Sequence, residues 1–234
     1  MRIILLGTLL LIMACSNKNK TKETQTVIQA PEDLIAILDT IWITEQRPIT
    51  MRDSLMLIYG AESKAVQEQQ ERYEKNHIIN EQKVTSILDN YGWPTKEMIG
   101  EQGNLTICNV IQHADNHIRI KYLPLMKQAV KDKKLEPRFL VRAEDRIATE
   151  RGDPQIYGGQ MKYYPETRGF NLWPVFDPVN IDKRRAEIGL DSIAVFLKDR
   201  FDFVWDLEEQ LKRTAAFEKE QQQKKQLSKT QQGN

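Results

Sequence analysis

Apolar residues recur at three- and four-residue spacing along most of this chain, and that spacing places them on one face of an α-helix. A first run follows Pro31, and a second ends before Gly92 and Pro94, residue types that stop helices. The members of the two runs are Leu34, Ile37, Leu38 and Ile41, and then Val84, Ile87, Leu88 and Tyr91. Further helical patterns cover residues 105–131, where Pro124 is expected to divide the helix, and 137–151.

Aromatic and β-forming residues dominate a short stretch in the second half of the chain. Residues 155–164 and 170–175 read QIYGGQMKYY and FNLWPV, with the turn-forming PETRG before the second run. Two such runs around a turn predict a β-hairpin. Helical spacing resumes over 181–188 and again from 191 onward. The sequence therefore predicts a mainly α fold, a single helical domain with one small β-hairpin insertion near residues 155–175.

The first fifteen residues are typical of an export signal rather than of a folded element. Arg2 supplies a positive start, residues 3–12 are apolar but too short to span a bilayer, and Ala14 precedes Cys15. This order resembles the lipobox of bacterial lipoproteins, in which residues 1–14 form a removable signal peptide and Cys15 is lipidated. The resemblance implies a lipid membrane anchor and a location in the bacterial cell envelope, facing the periplasm.

Two polar segments flank the predicted domain. Residues 16–30 are mostly polar, and together with the lipidated Cys15 they are expected to form a flexible tether over 15–30. Residues 218–234 are rich in Gln and Lys, so a disordered tail is expected there. The helical domain is therefore expected to span residues 31–217.

Charge and motifs exclude several function classes. The chain carries 34 Lys and Arg against 33 Asp and Glu, a net charge of +1, so no overall field favours nucleic acid. Gly158-Gly159 lacks the spacing of a dinucleotide-binding turn and the lysine of a phosphate loop, and no Gly-x-Ser-x-Gly elbow occurs. No cofactor is predicted. Cys108 is expected to pack as a small buried hydrophobe.

Asp115 occupies an unusual position in the helix predicted around it. At ~100° per residue, its side chain falls within the apolar arc of that helix. The arc comprises Ile107, Cys108, Ile111, Ala114, Ile118 and Tyr122. A carboxylate that faces a core requires a charged or hydrogen-bonding partner. Arg146 and Arg142 lie along the edge of the next apolar helix face, and an Asp115–Arg146 pair between the two helices is the expected solution.

Three histidines offer side chains for acid–base or metal chemistry. His113 and His117 are four residues apart, a spacing by which one helix can present two imidazoles to a metal. Ala114 stands where a zinc protease has glutamate, and no third ligand is identified, so no metal site is predicted. His77 lies in a charged helical stretch and is expected at the surface.

Several polar motifs lie between residues 105 and 197. They are Gln112-His-Ala-Asp115, Leu123-Pro124, Glu144-Asp-Arg146, Gln155-Ile-Tyr-Gly-Gly-Gln160, and Arg185 with Gly189-Leu190. This set resembles an uncharacterised bacterial domain family of unknown function. The resemblance implies that these polar residues belong together, and it supplies no reaction. Gly159 stands where the family pattern has threonine, which argues against a hydroxyl role at that position.

These observations predict a lipid-anchored envelope protein that binds a small polar ligand or a protein partner. The expected pocket gathers hydrogen-bonding side chains that lie beside core positions. Its candidate residues are His113, Asp115, Asp145, Arg146, Gln155, Tyr157 and Gln160. Asp115 and Arg146 are expected to orient the site. The ligand is expected to contact His113, Tyr157 and Gln160.

Two other function classes stay open from the sequence. The first is an envelope hydrolase in which His113 acts as general base and Asp145 orients its imidazole, because Asp115 lies two positions away on the same helix and points elsewhere. The second is a purely structural role in which the charged stretch 62–76 docks a protein partner. The sequence does not decide whether the chain is an enzyme.

Overall fold

The computed structural model describes residues 31–165 and 168–232, so the predicted signal peptide, lipidated cysteine and tether lie outside the described residues. This part of the chain forms eight α-helices and one two-stranded antiparallel hairpin. The helices are α1 (Pro31–Tyr59), α2 (Lys64–Tyr91), α3 (Lys96–His113), α4 (Asn116–Lys131), α5 (Pro137–Glu150), α6 (Ile181–Glu187), α7 (Ile193–Phe201) and α8 (Leu207–Gln232), and the strands are β1 (Met161–Tyr164) and β2 (Gly169–Leu172). The predicted mainly α fold with one small hairpin is confirmed.

Helices α1 to α5 enclose the main hydrophobic core. Helix α1 packs against α2 and α3, and α4 packs against α5. The apolar runs read from the sequence supply much of this core, since Leu34, Leu38, Ile41, Val84, Ile87 and Leu88 are all buried. Each run has the spacing of one helix face, so its burial removes a continuous apolar stripe from water. None of the helices in the described part of the chain is both long and apolar enough to cross a membrane.

The helix predicted over 105–131 is broken, although not at the proline. Ala114 and Asp115 are extended and separate α3 from α4, whereas Pro124 lies inside α4. The last carbonyl groups of α3 have no partner within their own helix, and buried Arg119 supplies one. Its guanidinium donates to the carbonyl oxygens of Gln112, at 3.1 Å, and Ala114. A side chain from the following helix therefore stabilises the break.

The hairpin covers a second, smaller core. Its strands pair with Met161 opposite Leu172, and just outside them Gln155 and Val175 form a parallel bridge. The residues buried beneath it are Leu172, Val175, Ile181, Ile193 and Leu197. The predicted limits 155–175 thus contain both strands, preceded by a segment that we call the 155–160 loop.

Helix α8 packs on the hairpin and continues through the segment predicted to be disordered. Near its start, the Thr214 hydroxyl donates to the carbonyl oxygen of Val175 at 3.2 Å, and Phe217 contacts Trp173 edge-to-face at 6.0 Å between ring centroids. From residue 218 to Gln232 the chain is helical. Gln, Lys and Glu are favourable helix formers, which accounts for this helix.

Candidate functional site

Asp145 holds the 155–160 loop in place. Helix α5 directs this side chain into the interior, where none of it is exposed. Oδ1 accepts hydrogen bonds from the backbone N–H groups of Ile156 and Tyr157, both at 2.7 Å, and Oδ2 accepts one from Gly159 at 2.6 Å. Burial raises the pKa of Asp145 to about 6, although the three N–H donors act in the opposite direction. Both carboxylate oxygens are therefore engaged with the loop.

Gln155 fixes the two ends of the same loop. Its side chain is fully buried, and Nε2 donates to the carbonyl oxygens of Gln160 at 3.0 Å and Trp173 at 2.9 Å. Oε1 accepts the backbone N–H of Gln160 at 2.7 Å. Buried Arg185 adds a hydrogen bond of 2.6 Å to the carbonyl oxygen of Tyr157. Because both ends of the Gln155 amide are occupied, this residue supports the loop and is not free to bind a ligand.

The 155–160 loop closes one side of a cleft of about 280 Å³, which we call the arginine cleft. Helices α3, α5 and α7 form the other walls. The lining residues are Leu105, Cys108, Asn109, Gln112 and His113 from α3, Phe139, Arg142 and Arg146 from α5, Gly159 and Gln160 from the loop, and Arg200 and Phe201 from α7. A cleft of this size accommodates a small molecule.

The arginine cleft carries positive charge, and none of the carboxylates in the described residues pairs with it. No Asp or Glu lines it, and across residues 31–165 and 168–232 no salt bridge involves Arg142, Arg146 or Arg200. Arg138, one helical turn before Arg142, does have a carboxylate partner, because its Nε lies 2.8 Å from Oε2 of Glu136. The Nε of Arg146 is buried and finds no hydrogen-bond acceptor in the described part of the chain.

Burial and the clustered cations lower the pKa values of two groups at the cleft. Burial, and then the charges of Arg200 and Arg138, lower the pKa of Arg142. Burial, and then the charge of Arg146, lower the pKa of His113, although part of this side chain is exposed. The imidazole of His113 is therefore neutral at neutral pH. A bound anion favours the protonated form and raises this pKa.

A buried ion pair lies close to His113. Glu45 of α1 is fully buried and accepts hydrogen bonds from Nδ1 of His77 at 3.1 Å and from Nδ2 of Asn80 at 2.9 Å. Burial lowers the pKa of His77, but the hydrogen bond and charge of Glu45 outweigh it, so this pKa is raised. The backbone carbonyl of His113 contributes in the same direction, which places the pair next to the cleft. The prediction that His77 lies at the surface is wrong, since its side chain is 13% exposed.

Residues 70–204 match the sequence model of a family of unknown function, DUF6624. The chain belongs to this family. The DUF6624 match is wider than the 105–197 span of the motif resemblance, and it confirms the prediction of an uncharacterised domain family. All residues that line the arginine cleft lie within it, whereas Glu45 precedes it. No curated protein and no solved structure matches the chain.

The seven site residues predicted from the sequence fall into different surroundings within the DUF6624 region. Three of them, His113, Arg146 and Gln160, line the arginine cleft together. Asp145 and Gln155 lie behind the cleft wall as supports of the loop. Tyr157 joins that support through its backbone, and its half-buried side chain does not line the cleft. The loop motif thus shapes the cleft and contributes one side chain, that of Gln160, to its surface.

The predicted inward position of Asp115 and its predicted pairing with Arg146 are wrong. Its side chain is exposed, and no Asp115–Arg146 ion pair forms among the residues that the structure describes. The wheel projection assumed one continuous helix through Ala114. The extended backbone at residues 114 and 115 turns the Asp115 side chain away from the core, and its carbonyl begins α4 by accepting the N–H of Ile118 at 3.0 Å.

The same break separates the two histidines considered for a metal. His113 ends α3 and His117 lies in α4, so the four-residue spacing no longer places both imidazoles on one helix face. In the described ranges, no three His, Cys, Asp or Glu side chains are grouped to hold a metal ion. The orienting role predicted for Asp145 also fails, because its oxygens face the loop and it makes no hydrogen bond to His113 in this part of the chain.

The helical pattern predicts Arg142 only at the edge of a helix face. It does not predict that Asn109 and Arg200 line a cleft. The sequence does contain a pattern that indicates a basic face on α5, because Arg138, Arg142 and Arg146 recur every four residues. No comparable signal exists for Arg200. It lines the DUF6624 cleft and its charge acts on Arg142 because the fold brings the end of α7 to the cleft, although the two residues are distant in sequence.

Proposed function

We propose that this protein binds a small anionic ligand in the arginine cleft and acts as a lipid-anchored protein of the bacterial cell envelope. One observation carries the binding proposal. Arg142, Arg146 and Arg200 line the same cleft, and no carboxylate lies among its lining residues. Arg142 and Arg146 are half-buried and Arg200 is exposed at the rim, and guanidinium groups that are partly removed from water ordinarily face carboxylates or other acceptors. A bound anion supplies the missing partner for these cations.

Two further features of the cleft support an anion of small size. The Nδ2 of Asn109 is a buried donor without an acceptor among the described residues, so it adds a hydrogen bond for a ligand oxygen. Leu105, Phe139 and Phe201 provide an apolar wall. The combination suits a carboxylate or phosphate attached to a short carbon skeleton, because charge and skeleton each meet a matching surface.

The test is thermal unfolding of the purified protein in detergent, with chloride, acetate, phosphate, sulfate or citrate at one fixed ionic strength. We expect at least one anion to raise the unfolding midpoint of the wild type, and Arg146→Gln to abolish that increase. Arg138→Gln is the matched control, because Arg138 already pairs with Glu136. An equal increase in the wild type and Arg146→Gln contradicts binding in the cleft, since sulfate and phosphate also stabilise proteins by exclusion from their surfaces.

A protein partner that inserts an acidic side chain is an alternative source of the anion. The volume of about 280 Å³ favours a small free ligand, because an isolated side chain fills only part of it. The structure gives less support to the hydrolase hypothesis than the sequence does. His113 is neutral, as a general base must be, but Asp145 does not orient it.

The envelope location is supported by the lipobox-like order that ends at Cys15. We expect the protein to fractionate with membranes when it is produced with residues 1–30. We expect Cys15→Ser to prevent both the attachment of lipid and the cleavage of the signal peptide. Mass spectrometry of the N-terminal peptide tests this directly. An unmodified Cys15 in the mature protein contradicts lipid anchoring.

A further inference from the structure

The basic side chains of the arginine cleft form two groups, in which His113 is neutral until a bound anion favours its protonated form. The charge of Arg200 acts on Arg142, and the charge of Arg146 acts on His113. Arg142 and Arg146 are four residues apart on α5, so their Cβ atoms are about 5–6 Å apart. The second member of each group comes from a different helix, α7 for Arg200 and α3 for His113. The cleft therefore offers two cationic positions that are about one helical turn apart.

On the α3 wall lies an amide nitrogen that has no acceptor among the residues the structure describes. Asn109 is one turn after Leu105 and one turn before His113 on α3, and all three residues line the cleft. Its Nδ2 is buried, and no acceptor for it exists among the described residues. The neighbouring amide of Gln112 is different, because its Nε2 already donates to the carbonyl oxygen of Phe139 at 3.1 Å. Asn109 is thus a free donor midway along this wall.

We propose that the ligand of the arginine cleft carries two anionic groups about one helical turn apart, one held by Arg142 and Arg200 and the other by Arg146 and His113. This inference rests on the proposed function and names the class of anion. Arg142, Arg146 and Arg200 carry three positive charges, and two anionic groups compensate more of this charge than one anionic group does. Asn109 donates to a polar oxygen between the two anionic ends. Dicarboxylates and bisphosphonates share this chemistry.

Isothermal titration with two ligand series tests the inference. One series is acetate, malonate, succinate, glutarate and adipate, and the other is methane-, ethane- and propane-bisphosphonate with methylphosphonate as the single-headed member. We expect the best dianion to bind about tenfold or more tightly than its single-headed counterpart, with a maximum at an intermediate chain length. The series that contains the tighter ligand identifies the head group as carboxylate or phosphonate.

Variants assign the two positions. Arg142→Gln and Arg146→Gln are each expected to weaken the best dianion about tenfold and to remove the dependence on chain length, because one anionic end loses its partner. Arg200→Gln, at an exposed position, tests the first group without altering α5. Arg138→Gln is expected to bind like the wild type. Circular dichroism at the titration temperature verifies that each variant is folded.

The possible failures are distinct. If the dissociation constants of the single-headed anions lie within about threefold of those of every dianion, the two-group inference is overturned, while anion binding in the cleft stands. If no anion in either series binds the wild type, both the inference and the proposed function are overturned. A flat dependence on chain length in the wild type also overturns the two-group inference.

Discussion

The carboxylate of Asp145 and the backbone N–H of Gly159 lie 2.6 Å apart, and this contact sets the wall of the arginine cleft. A Cβ atom at residue 159 would lie 3.0 Å from Oδ2 of Asp145, so a side chain there requires the carboxylate or the loop to shift. Gln160 follows directly and presents its side chain to the cleft. The most buried acid of the predicted site therefore acts as a positioning residue for the loop.

Asp145→Asn is expected to destabilise the protein by about 2–3 kcal/mol. Both oxygens of Asp145 accept backbone N–H groups, and an asparagine places an NH₂ group against at least one of these donors. Urea denaturation measures the change in the free energy of unfolding. Asp153→Asn, the same replacement at an exposed position, is the control and is expected to change stability by less than about 0.5 kcal/mol. Equal effects of the two variants contradict the positioning role.

Gly158→Ala is expected to cost about 3 kcal/mol or more. The backbone at Gly158 has φ +83°, and a Cβ atom there would lie 2.5 Å from Cδ1 of Ile193 in the small core. Gly60 provides a matched control, because its φ is +81° but no atom lies within 4 Å of its Cβ position. Gly60→Ala is expected to cost only about 1 kcal/mol, from backbone strain alone. Chemical denaturation of both variants checks the difference, and equal losses contradict the close packing of the loop on α7.

The helical faces were predictable from the sequence because their burial is a local property. Val84, Ile87 and Leu88 are spaced as one helix face, and all three are buried. The surroundings of Asp115 were not predictable, since the break at Ala114 depends on the guanidinium of Arg119 from the next helix. A periodic pattern records which side chains are apolar. It does not record where a polar side chain interrupts the helix.

The candidate site was predictable only in part, for a related reason. The sequence indicated the polar residues of the 155–160 loop but not which of them face inward, because Gln155 and Gln160 are the same residue type in opposite roles. Arg200 lines the cleft because of where α7 lies in the fold, and no sequence motif predicts that position. The Gln- and Lys-rich segment after residue 218 is helical up to Gln232, and its composition suits both a solvated chain and an exposed helix.

The stabilising contribution of His77 is expected to fall as the pH rises. Its pKa is raised above the ordinary value of 6.5 because Glu45 favours the protonated ring over the opposing effect of burial. The contribution is therefore complete below about pH 6.5 and is lost as the pH rises through the higher folded-state pKa. The difference in unfolding free energy between the wild type and His77→Gln should shrink from about pH 6 to pH 9.

His117→Gln is the control for that experiment, because His117 is an exposed histidine of α4. We expect the difference between the wild type and His117→Gln to stay small, because substitutions of exposed side chains change stability little. A difference between the wild type and His77→Gln that grows with pH contradicts the assigned direction of the His77 pKa. It would also mean that Glu45 is not the dominant partner of this ring.

Cys108 is expected to be unreactive in the folded protein even though it lies at the cleft. Its side chain is 1% exposed, and burial raises the pKa of the thiol, so the reactive thiolate is not formed. Iodoacetamide should modify Cys108 only after urea is added. Ser54→Cys, on the exposed side of α1, introduces a control thiol that should react in the folded state. Modification of both thiols at similar rates without urea contradicts the buried position.

The most direct test of anion binding in the cleft is the NMR titration of the His113 imidazole, assigned by comparison with His113→Gln. Without an anionic ligand, we expect its pKa to lie below 6.5, and Arg146→Gln to raise it because the charge of Arg146 disfavours the protonated ring. With a bound dicarboxylate or phosphate, we expect the wild-type pKa of His113 to rise. A His113 pKa that stays the same with every anion tested would contradict anion binding in the arginine cleft.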